Sequence, residues 1–226
     1  MSAPHHKVNG FDWDCVNDVL LDMDGTLLDR HFDNVFFNEE LPKRYAAKHG
    51  LPLDRARDTL FGHYRAVEGK LAWADLDYWS QTLDIDTVAV THELRHMIEY
   101  HHDAVEFLRY LRSQGKRLTL VTNAHGSSLE IKAVRTGIDQ YMDLIVTASE
   151  VGSLKMHAEF WSGCQRIVGF DPSRSLYIDD DEASLGAAQQ YGVGYLYHRS
   201  KSSSRLPAER STRFLSIESL RELMTP

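Results

Sequence analysis

The fold of this chain is set by ten residues, Val19-Leu20-Leu21-Asp22-Met23-Asp24-Gly25-Thr26-Leu27-Leu28. An apolar run enters the stretch, and two carboxylates one residue apart follow it. A run bounded in this way predicts a short buried strand that ends in a tight turn. Because residues i and i+2 of a strand point to the same side, we expect Asp22 and Asp24 to face one point at the carboxyl end of the strand. That edge is where open α/β sheets bind ligands.

Two carboxylates so close together repel each other, and this repulsion predicts a divalent cation beside Asp22 and Asp24. Hard oxygen ligands of this kind suit Mg²⁺. Gly25 allows the backbone to turn tightly or to approach a ligand closely. The alternative is an ordinary acidic turn after a core strand, which would be the better interpretation of an isolated pair of aspartates. The longer string, with an apolar run before it and two leucines after it, is far more specific.

The overall composition excludes several classes of protein. With 226 residues, the chain is long enough for one large or two small domains. Its content of 42% hydrophobic and 26% charged residues is ordinary for a soluble globular protein. A net charge of −8 argues against a general nucleic-acid binder, and no apolar stretch approaches the length of a membrane span. Cys15 and Cys164 do not make a disulfide scaffold and the N-terminus has no signal-peptide core, so we expect a cytoplasmic protein.

The hydrophobic pattern predicts an α/β core that is interrupted after its first strand. From about residue 30 to residue 100 helical spacing takes over, which predicts a cap of roughly four helices with a break or restart at Pro42. Beyond the cap, strands are predicted at 117–121, 144–146, 175–178 and 193–196, then an exposed Ser- and Arg-rich loop at 199–210 and a short terminal strand and helix. Strands that alternate with helices imply a doubly wound parallel sheet. We therefore predict a core domain, residues 1–29 and 101–226, and a helical cap domain, residues 30–100.

Polar residues follow three of the later predicted strands, namely Thr122-Asn123, Lys155 and Asp179-Asp180. The threonine hydroxyl and the next backbone N–H can donate to a phosphate oxygen, the lysine can neutralise charge, and the adjacent acids suit a metal. Each has an ordinary alternative: a turn residue, a solvated surface charge, and an acidic helix N-terminus. Their order after successive strands is hard to explain by coincidence, so we expect one shared site at the edge of the sheet.

This order of motifs resembles that of the haloacid dehalogenase-like (HAD) superfamily, in which a cap follows the first motif of a Rossmann-like core. The resemblance implies that Asp22 is the nucleophile of a phosphatase and Asp24 the general acid and base. It implies that Thr122, together with the neighbouring Asn123, holds the phosphoryl group and that Lys155 neutralises its charge. An acid at position 24 favours phosphoryl transfer over dehalogenation, in which no leaving alkoxide needs a proton.

The same resemblance implies the metal ligands. Mg²⁺ would be held by Asp22, by the backbone carbonyl of Asp24 and by Asp180. Asp179 stands where many members have glycine, so it takes a supporting metal role. Ser184 stands where many members have a further carboxylate, which indicates that one outer acid is absent or replaced.

A narrower resemblance rests on strings that are not general to the superfamily. LLDMDGTLLD, FDN just after it, LDYWS in the cap, TNAH and IDDDEA resemble the bacterial GMP/IMP 5′-nucleotidases, from about Asp18 to Leu196, with Leu154 as a departure from the usual proline. The resemblance implies hydrolysis of purine 5′-monophosphates, GMP or IMP preferred, to nucleoside and phosphate. It implies a small-molecule phosphate monoester as partner, with no nucleic-acid polymer and no membrane, and a monomer or homodimer. The alternatives are another small substrate, such as a sugar phosphate or phosphoglycolate, and a nucleotide-binding regulator without turnover, which would not need Asp24.

The cap is rich in aromatic residues, and we expect some of them to bind the base. Phe32 and Asp33 lie where the chain leaves the catalytic strand, and Asp77, Tyr78 and Trp79 lie in the middle of the cap. An aromatic side chain can stack on a purine, and a carboxylate can accept from the N1–H of guanine or hypoxanthine, which adenine lacks. The alternative is that Trp79 is core packing and both acids are solvated.

Overall fold

A six-stranded parallel sheet forms the centre of the molecule. The computed structural model describes residues 7–8 and 11–224, so parts of the predicted core domain, residues 1–6, 9–10 and 225–226, lie outside the described residues. A two-stranded antiparallel hairpin, β1 (Lys7–Val8) and β2 (Phe11–Asp12), precedes the sheet. The strands of the sheet are β3 (Asp18–Leu21), β4 (Arg117–Thr122), β5 (Leu144–Thr147), β6 (Ser175–Asp179), β7 (Tyr195–Arg199) and β8 (Leu215–Ile217).

The strand order in the sheet is β5-β4-β3-β6-β7-β8, and every neighbouring pair is parallel. The chain first builds outward from β3 through β4 to β5 and then returns to the other side of β3 with β6. This reversal makes the carboxyl ends of β3 and β6 the topological switch point, where open α/β sheets bind ligands. The prediction of a doubly wound parallel sheet is confirmed, although β7 begins two residues later than the predicted fifth strand.

Helices cover both faces of the sheet, which explains why β3 is an unbroken apolar run. Val19 and Leu21 point into one buried cluster with residues of α6 (Ala104–Ser113), whereas Leu20 points into the other with residues of α9 (Ala158–Val168). The remaining core helices are α7 (Gly126–Thr136), α8 (Ala148–Val151) and α10 (Glu182–Tyr191). Within the described residues, no helix combines the length and the apolar composition that crossing a bilayer would take.

Residues 30–100, which we call the cap segment, are helical. They form α1 (His31–Val35), a π-helical turn at Phe36–Glu40, α2 (Leu41–His49), α3 (Leu53–Val67), α4 (Leu76–Leu83) and α5 (Thr87–Leu94). Of the break or restart predicted at Pro42, the structure shows a restart, because α2 begins at Leu41 with Pro42 in its first turn. The Leu41 N–H donates to the Phe36 carbonyl five residues back, and this wider turn joins α2 to α1.

An aromatic cluster fills the cap segment. The rings of Phe37 and Trp73 stack with centroids 5.8 Å apart, and Tyr64 meets Trp73 and Trp79 edge-on at 5.7 and 5.1 Å. The buried cluster on one sheet face continues into this packing without interruption, because it contains Val19 and Leu21 as well as Tyr64 and Trp79. The cap segment is therefore docked on the core by apolar burial.

The chain enters and leaves the cap segment at one place. The N–H of Asp29 donates to the Glu99 carbonyl (2.9 Å), and the N–H of His101 donates to the Leu27 carbonyl (2.9 Å). An antiparallel bridge between Leu28 and Tyr100 lies between these two bonds. Two short antiparallel segments, residues 27–29 and 99–101, therefore connect the cap segment to the core.

The loop predicted to be exposed at 199–210 is buried in its first part, so that prediction is wrong there. Arg199 is 1% exposed, since it ends β7 inside the core, and both of its terminal nitrogens donate to the buried Asp103 carboxylate at 3.1 Å. The carbonyl of Ser202 accepts from the N–H of Arg30 (3.0 Å), so the loop also braces the start of the cap segment. From Ser204 onward most of the loop is exposed.

Candidate active site

The two aspartates of the first motif follow β3 directly. The Asp22 N–H donates to the Ile178 carbonyl of β6 (3.1 Å), so the hydrogen-bond ladder between β3 and β6 continues for one more residue. The Asp22 side chain is buried. Asp24 lies in the turn beyond and is partly exposed. Both side chains line one cavity, so the predicted convergence of the two carboxylates is present in the structure.

Gly25 is required by its surroundings. Its φ is +98°, in the left-handed region that glycine adopts at little cost. A Cβ atom at this position would lie 2.3 Å from Asp180 Oδ2, so any other residue would displace that carboxylate. The glycine thus brings the turn after β3 against the acids that follow β6.

Lys155 is buried between two carboxylates. Its Nζ binds Asp22 Oδ1 and donates to Asp179 Oδ2 at 2.8 Å. Its backbone is fixed on both sides, because its N–H donates to Asn123 Oδ1 (3.0 Å) and its carbonyl accepts from Trp161 Nε1 (2.8 Å). Burial alone would lower the pKa of Lys155, but Asp179 and Asp22 outweigh burial and raise it, so the lysine is charged.

Three carboxylates form the floor of the cavity. Oxygens of Asp22, Asp179 and Asp180 lie within 4.8 Å of one another. Burial and then the charge of Asp179 raise the pKa of Asp22 well above its usual range against the opposing effect of Lys155, and burial raises the pKa of Asp180 to about 7 against the opposing effect of Arg30. Burial is the largest cause of both shifts, so a cation bound here would favour the ionised form of these carboxylates.

The floor fits a hard divalent cation. Asp22 Oδ2 is buried and makes no hydrogen bond within the described part of the chain, so one lone-pair site faces no donor. The Asp179 carboxylate already accepts hydrogen bonds from Lys155, from Tyr177 and from the N–H of Asp181. The Asp180 carboxylate accepts one from Arg30 Nη1 at 2.7 Å. Carboxylate oxygens are the ligands that Mg²⁺ prefers, and an unpaired buried oxygen is the position such an ion would satisfy.

Thr122 is the last residue of β4 and Asn123 follows it, beside the floor. Thr122 is 1% exposed, and its hydroxyl oxygen accepts from the N–H of Ala124 (3.0 Å). Both residues line the cavity, as do Lys155, Asp179 and Asp180. Every core residue predicted from a strand end therefore lies at one edge of the sheet.

A second buried lysine, Lys132 on α7, was not predicted. Its Nζ donates to Asp24 Oδ1 (2.7 Å) and to Asp33 Oδ1 (2.9 Å), and its side chain is 2% exposed. Burial would lower the pKa of Lys132, but the two carboxylates outweigh burial and raise it. A lone lysine on a predicted helix is usually a solvated charge, so nothing in the local sequence distinguishes it.

The cavity above the floor has a volume of about 930 Å³ and lies between the core and the cap segment. Phe32 and Asp33 line it, as predicted, but the Asp33 carboxylate is engaged by Lys132. A wall of further aromatic side chains lines the cavity and consists of Phe36, Phe37, Phe61, Tyr64 and Trp73. All of these except Phe61 belong to the cap aromatics from which base-stacking residues were expected.

Asp77, Tyr78 and Trp79 do not line the cavity. Leu76, Trp79 and Leu83 form the buried stripe of α4, as their helical spacing demands, and Trp79 Nε1 donates to the Trp73 carbonyl (2.8 Å). Tyr78 packs edge-on against Trp79, and Asp77 is exposed in the first turn of α4. The structure therefore separates this predicted substrate-binding group from the site.

Comparison with known proteins agrees with this architecture. A family model described as haloacid dehalogenase-like hydrolase matches residues 19–192. The GMP/IMP nucleotidase YrfG of Escherichia coli K12 is 36% identical over 212 residues, which cover 94% of this chain and 96% of that protein.

Solved structures share the fold at lower identity. A HAD phosphatase from Thermococcus onnurineus superposes with a TM-score of 0.77 at 21% identity, covering 92% of this chain and 96% of that one. A variant of a HAD family enzyme from Bacteroides thetaiotaomicron, solved with magnesium and inorganic phosphate, superposes with a TM-score of 0.61 at 15% identity and covers 84% and 97% of the two chains. The fold, the sheet edge and the match over most of the sequence agree, and the chain belongs to the haloacid dehalogenase-like hydrolase family as a phosphoric monoester hydrolase.

Proposed function

We propose that this enzyme is a Mg²⁺-dependent 5′-nucleotidase that hydrolyses purine nucleoside monophosphates, GMP and IMP preferred, to nucleoside and phosphate. The observation that carries the proposal is the unpaired buried oxygen of Asp22, next to the charged Lys155, at the floor of a nucleotide-sized cavity. A carboxylate beside one cation, with a position for a second, is suited to attack a phosphorus atom whose oxygens carry negative charge.

The proposed reaction has two steps on Asp22. Asp22 attacks phosphorus while the ester oxygen leaves and takes a proton from Asp24, which produces an aspartyl phosphate and a nucleoside. Asp24 then accepts a proton from a water molecule as that water attacks phosphorus and regenerates Asp22. Lys155 neutralises the phosphoryl oxygens, and the Thr122 hydroxyl with the N–H of Asn123 holds them in place.

The proposed metal ligands are Asp22, Asp180 and the backbone carbonyl of Asp24, with Asp179 as a supporting acid. When bound there, Mg²⁺ would supply positive charge to both the carboxylates and the phosphoryl oxygens. Support comes from the unpaired Asp22 oxygen and from the magnesium in the Bacteroides enzyme of the same fold. Arg30 donates to Asp180 Oδ2, so this side chain would have to share or yield that oxygen.

We propose the cap segment as a separate domain, residues 30–100, on a core of residues 1–29 and 101–226. Two adjacent antiparallel segments with hydrogen bonds at Asp29 and His101 are the connection expected of such an insertion. A cap that closes over the floor would exclude water from the reaction.

The preference for purines rests on the relative named GMP/IMP nucleotidase and on the aromatic wall. Phe61 remains 41% exposed at this wall, although its ring packs edge-on against Tyr64 (6.0 Å), and an exposed ring in a cavity is a surface on which a base can stack. Glu68 also lines the cavity and its side chain is exposed there, so we propose that its carboxylate accepts from the purine N1–H. The proposed substrate is therefore a small molecule, a purine nucleoside monophosphate.

A phosphate-release assay across GMP, IMP, AMP, glucose 6-phosphate, phosphoglycolate and p-nitrophenyl phosphate tests the proposal. We expect kcat/KM for GMP and IMP to exceed the values for the sugar phosphate and phosphoglycolate by at least about tenfold, which corresponds to one stacking contact. A higher value for a non-nucleotide would replace the proposed substrate and leave the phosphatase assignment in place. Saturable GMP binding without phosphate release would instead support a regulator.

A further inference from the structure

Lys132 joins three parts of the chain at one nitrogen atom. It projects from α7 of the core, Asp24 belongs to the turn after β3, and Asp33 belongs to α1 at the start of the cap segment. The Nζ also lies 5.4 Å from the centre of the Phe32 ring, close enough for a cation–π interaction. Ordering a long side chain and burying its charge are costly, so such an arrangement implies a specific task.

The contact with Asp24 uses one carboxylate oxygen and leaves the other available. Lys132 binds Oδ1, and no described donor contacts Oδ2. Asp24 is partly exposed, whereas Lys132 is buried. A general acid must hold one oxygen at hydrogen-bonding distance from the proton it transfers, so fixing Oδ1 also fixes the direction of Oδ2.

We propose that Lys132 is a positioning residue that aims Asp24 at the leaving oxygen, and that Asp33 allows it to do so only while the cap segment is docked. The inference rests on the proposed function, because it takes Asp24 to be the general acid and base. When the P–O bond breaks, the proton moves from Asp24 to the ester oxygen and Lys132 keeps the resulting carboxylate in place. The same carboxylate then accepts the proton of the attacking water.

The test exploits leaving groups that differ in their need for a proton. GMP leaves as an alkoxide and needs general acid catalysis, whereas p-nitrophenyl phosphate leaves as a stable phenolate and does not. The value of kcat/KM reports the first chemical step, because release of the leaving group makes that step irreversible. For Lys132→Met we expect kcat/KM to fall by about 10²-fold with GMP, the lower range for general acid catalysis, and by less than about fivefold with p-nitrophenyl phosphate.

Three further variants separate positioning from stability. Lys132→Arg keeps the charge and should recover part of the GMP activity, and Asp33→Asn should show the same substrate pattern with a smaller loss. In an Asp24→Asn background, Lys132→Met should cause no further loss, because Lys132 acts through that carboxylate.

Lys116→Met is the matched control. The Lys116 Nζ donates to the Trp13 and Val16 carbonyls (2.7 and 2.9 Å), neither of which belongs to the proposed site, and its loss should affect both substrates alike.

Two results would overturn the proposal: equal losses of kcat/KM with both substrates in Lys132→Met, or an additive loss in the Asp24→Asn background. If Lys132→Met does not fold, the losses of kcat/KM with GMP and with p-nitrophenyl phosphate are compared in Lys132→Arg and Asp33→Asn instead. Failure of the proposed function looks different. In that case the wild type does not hydrolyse GMP, or Asp24→Asn itself does not discriminate between the two leaving groups.

Discussion

Two regions of the active site are each built around a buried lysine that holds two carboxylates, yet they are assembled in different ways. The floor consists of Asp22, Asp179 and Asp180, which lie at the carboxyl ends of β3 and β6, and Lys155 contacts the first two. The seam consists of Lys132 with Asp24 and Asp33, and it joins the core to the cap segment. The floor is fixed by the sheet, whereas the seam depends on contact between the core and the cap segment. In the proposed mechanism, the floor carries phosphoryl transfer and the seam carries proton transfer.

The largest expected effect is at the nucleophile. Asp22→Asn should abolish phosphate release from every substrate, because an amide cannot form an aspartyl phosphate. The variant should remain folded and be at least as stable as the wild type without metal, since burial and Asp179 raise the pKa of Asp22 and its charge is costly. Phosphate release and thermal unfolding of one preparation check both statements, and substantial turnover in a clean preparation would count against a covalent mechanism.

Removal of metal should affect the floor and leave the seam intact. Activity should disappear with EDTA and return with Mg²⁺, and Ca²⁺, which coordinates more loosely, should inhibit. Full activity after exhaustive chelation would contradict the proposed ligands. The prediction can be followed without turnover, because Mg²⁺ should raise the Tm of the wild type and of Lys132→Met but not that of Asp180→Asn.

The stability of the chelated protein should depend on pH. Burial raises the pKa values of Asp22 and Asp180, the latter to about 7, so the folded state binds more protons than the unfolded state between about pH 4 and pH 7. The metal-free protein should therefore lose stability as the pH rises through this range. The increase in Tm caused by Mg²⁺ should be larger at pH 8 than at pH 5.5, and scanning calorimetry at both values with and without EDTA measures it. An equal increase at both values would mean that the cation does not bind these carboxylates.

The two lysines should differ in what they contribute to stability. Lys155→Met leaves Asp22 and Asp179 buried without their cation, with side chains 6% and 1% exposed, and should lower the free energy of unfolding in EDTA by about 3–5 kcal/mol. Lys132→Met leaves Asp24 and Asp33 26% and 22% exposed, so water can solvate them and the loss should be about 1–2 kcal/mol. Urea unfolding of both variants measures the difference, and equal losses would mean that the seam is as rigid as the floor.

The smallest expected effect is in the cap segment. Phe61→Ala should reduce kcat/KM for GMP by roughly fivefold, equivalent to about 1 kcal/mol of base stacking, and leave p-nitrophenyl phosphate unaffected. Trp79→Ala is the contrast, since a fully buried ring in the aromatic cluster should lower stability by about 3–5 kcal/mol without changing substrate preference. A selective loss of GMP activity in Trp79→Ala, with Phe61→Ala unchanged, would reverse the two assignments.

Sequence patterns predicted the floor and the two carboxylates of the seam, but they missed the lysine of the seam for a physical reason. Parallel strands bring their carboxyl ends to one edge, so Asp22, Thr122, Lys155 and Asp180 could be expected together once the strands were recognised. Lys132 lies within a helix, and its burial depends on where α1 docks. The docking position of α1 is set by long-range packing, and helical spacing in the sequence does not determine it.

The cap segment shows the same limit. Spacing predicted its helices but not which faces meet the cavity, so Trp79 was expected at the substrate and lies in the packed cluster instead. Phe61, on a neighbouring helix, meets the cavity. Pro42 was expected to mark a break or restart, and α2 does restart there, but no local propensity indicates the π-helical turn that joins it to α1.

The division between floor and seam is tested most directly by Asp24→Asn with p-nitrophenyl phosphate. The floor is intact in this variant and the leaving group needs no proton, whereas hydrolysis of the aspartyl phosphate lacks its base. The account predicts a rapid burst of one nitrophenolate per active site, followed by slow turnover, and a phosphoryl group on the peptide that contains Asp22 after an acid quench. The absence of a burst with Asp22 unmodified, or a phosphoryl group on a different residue, would contradict it.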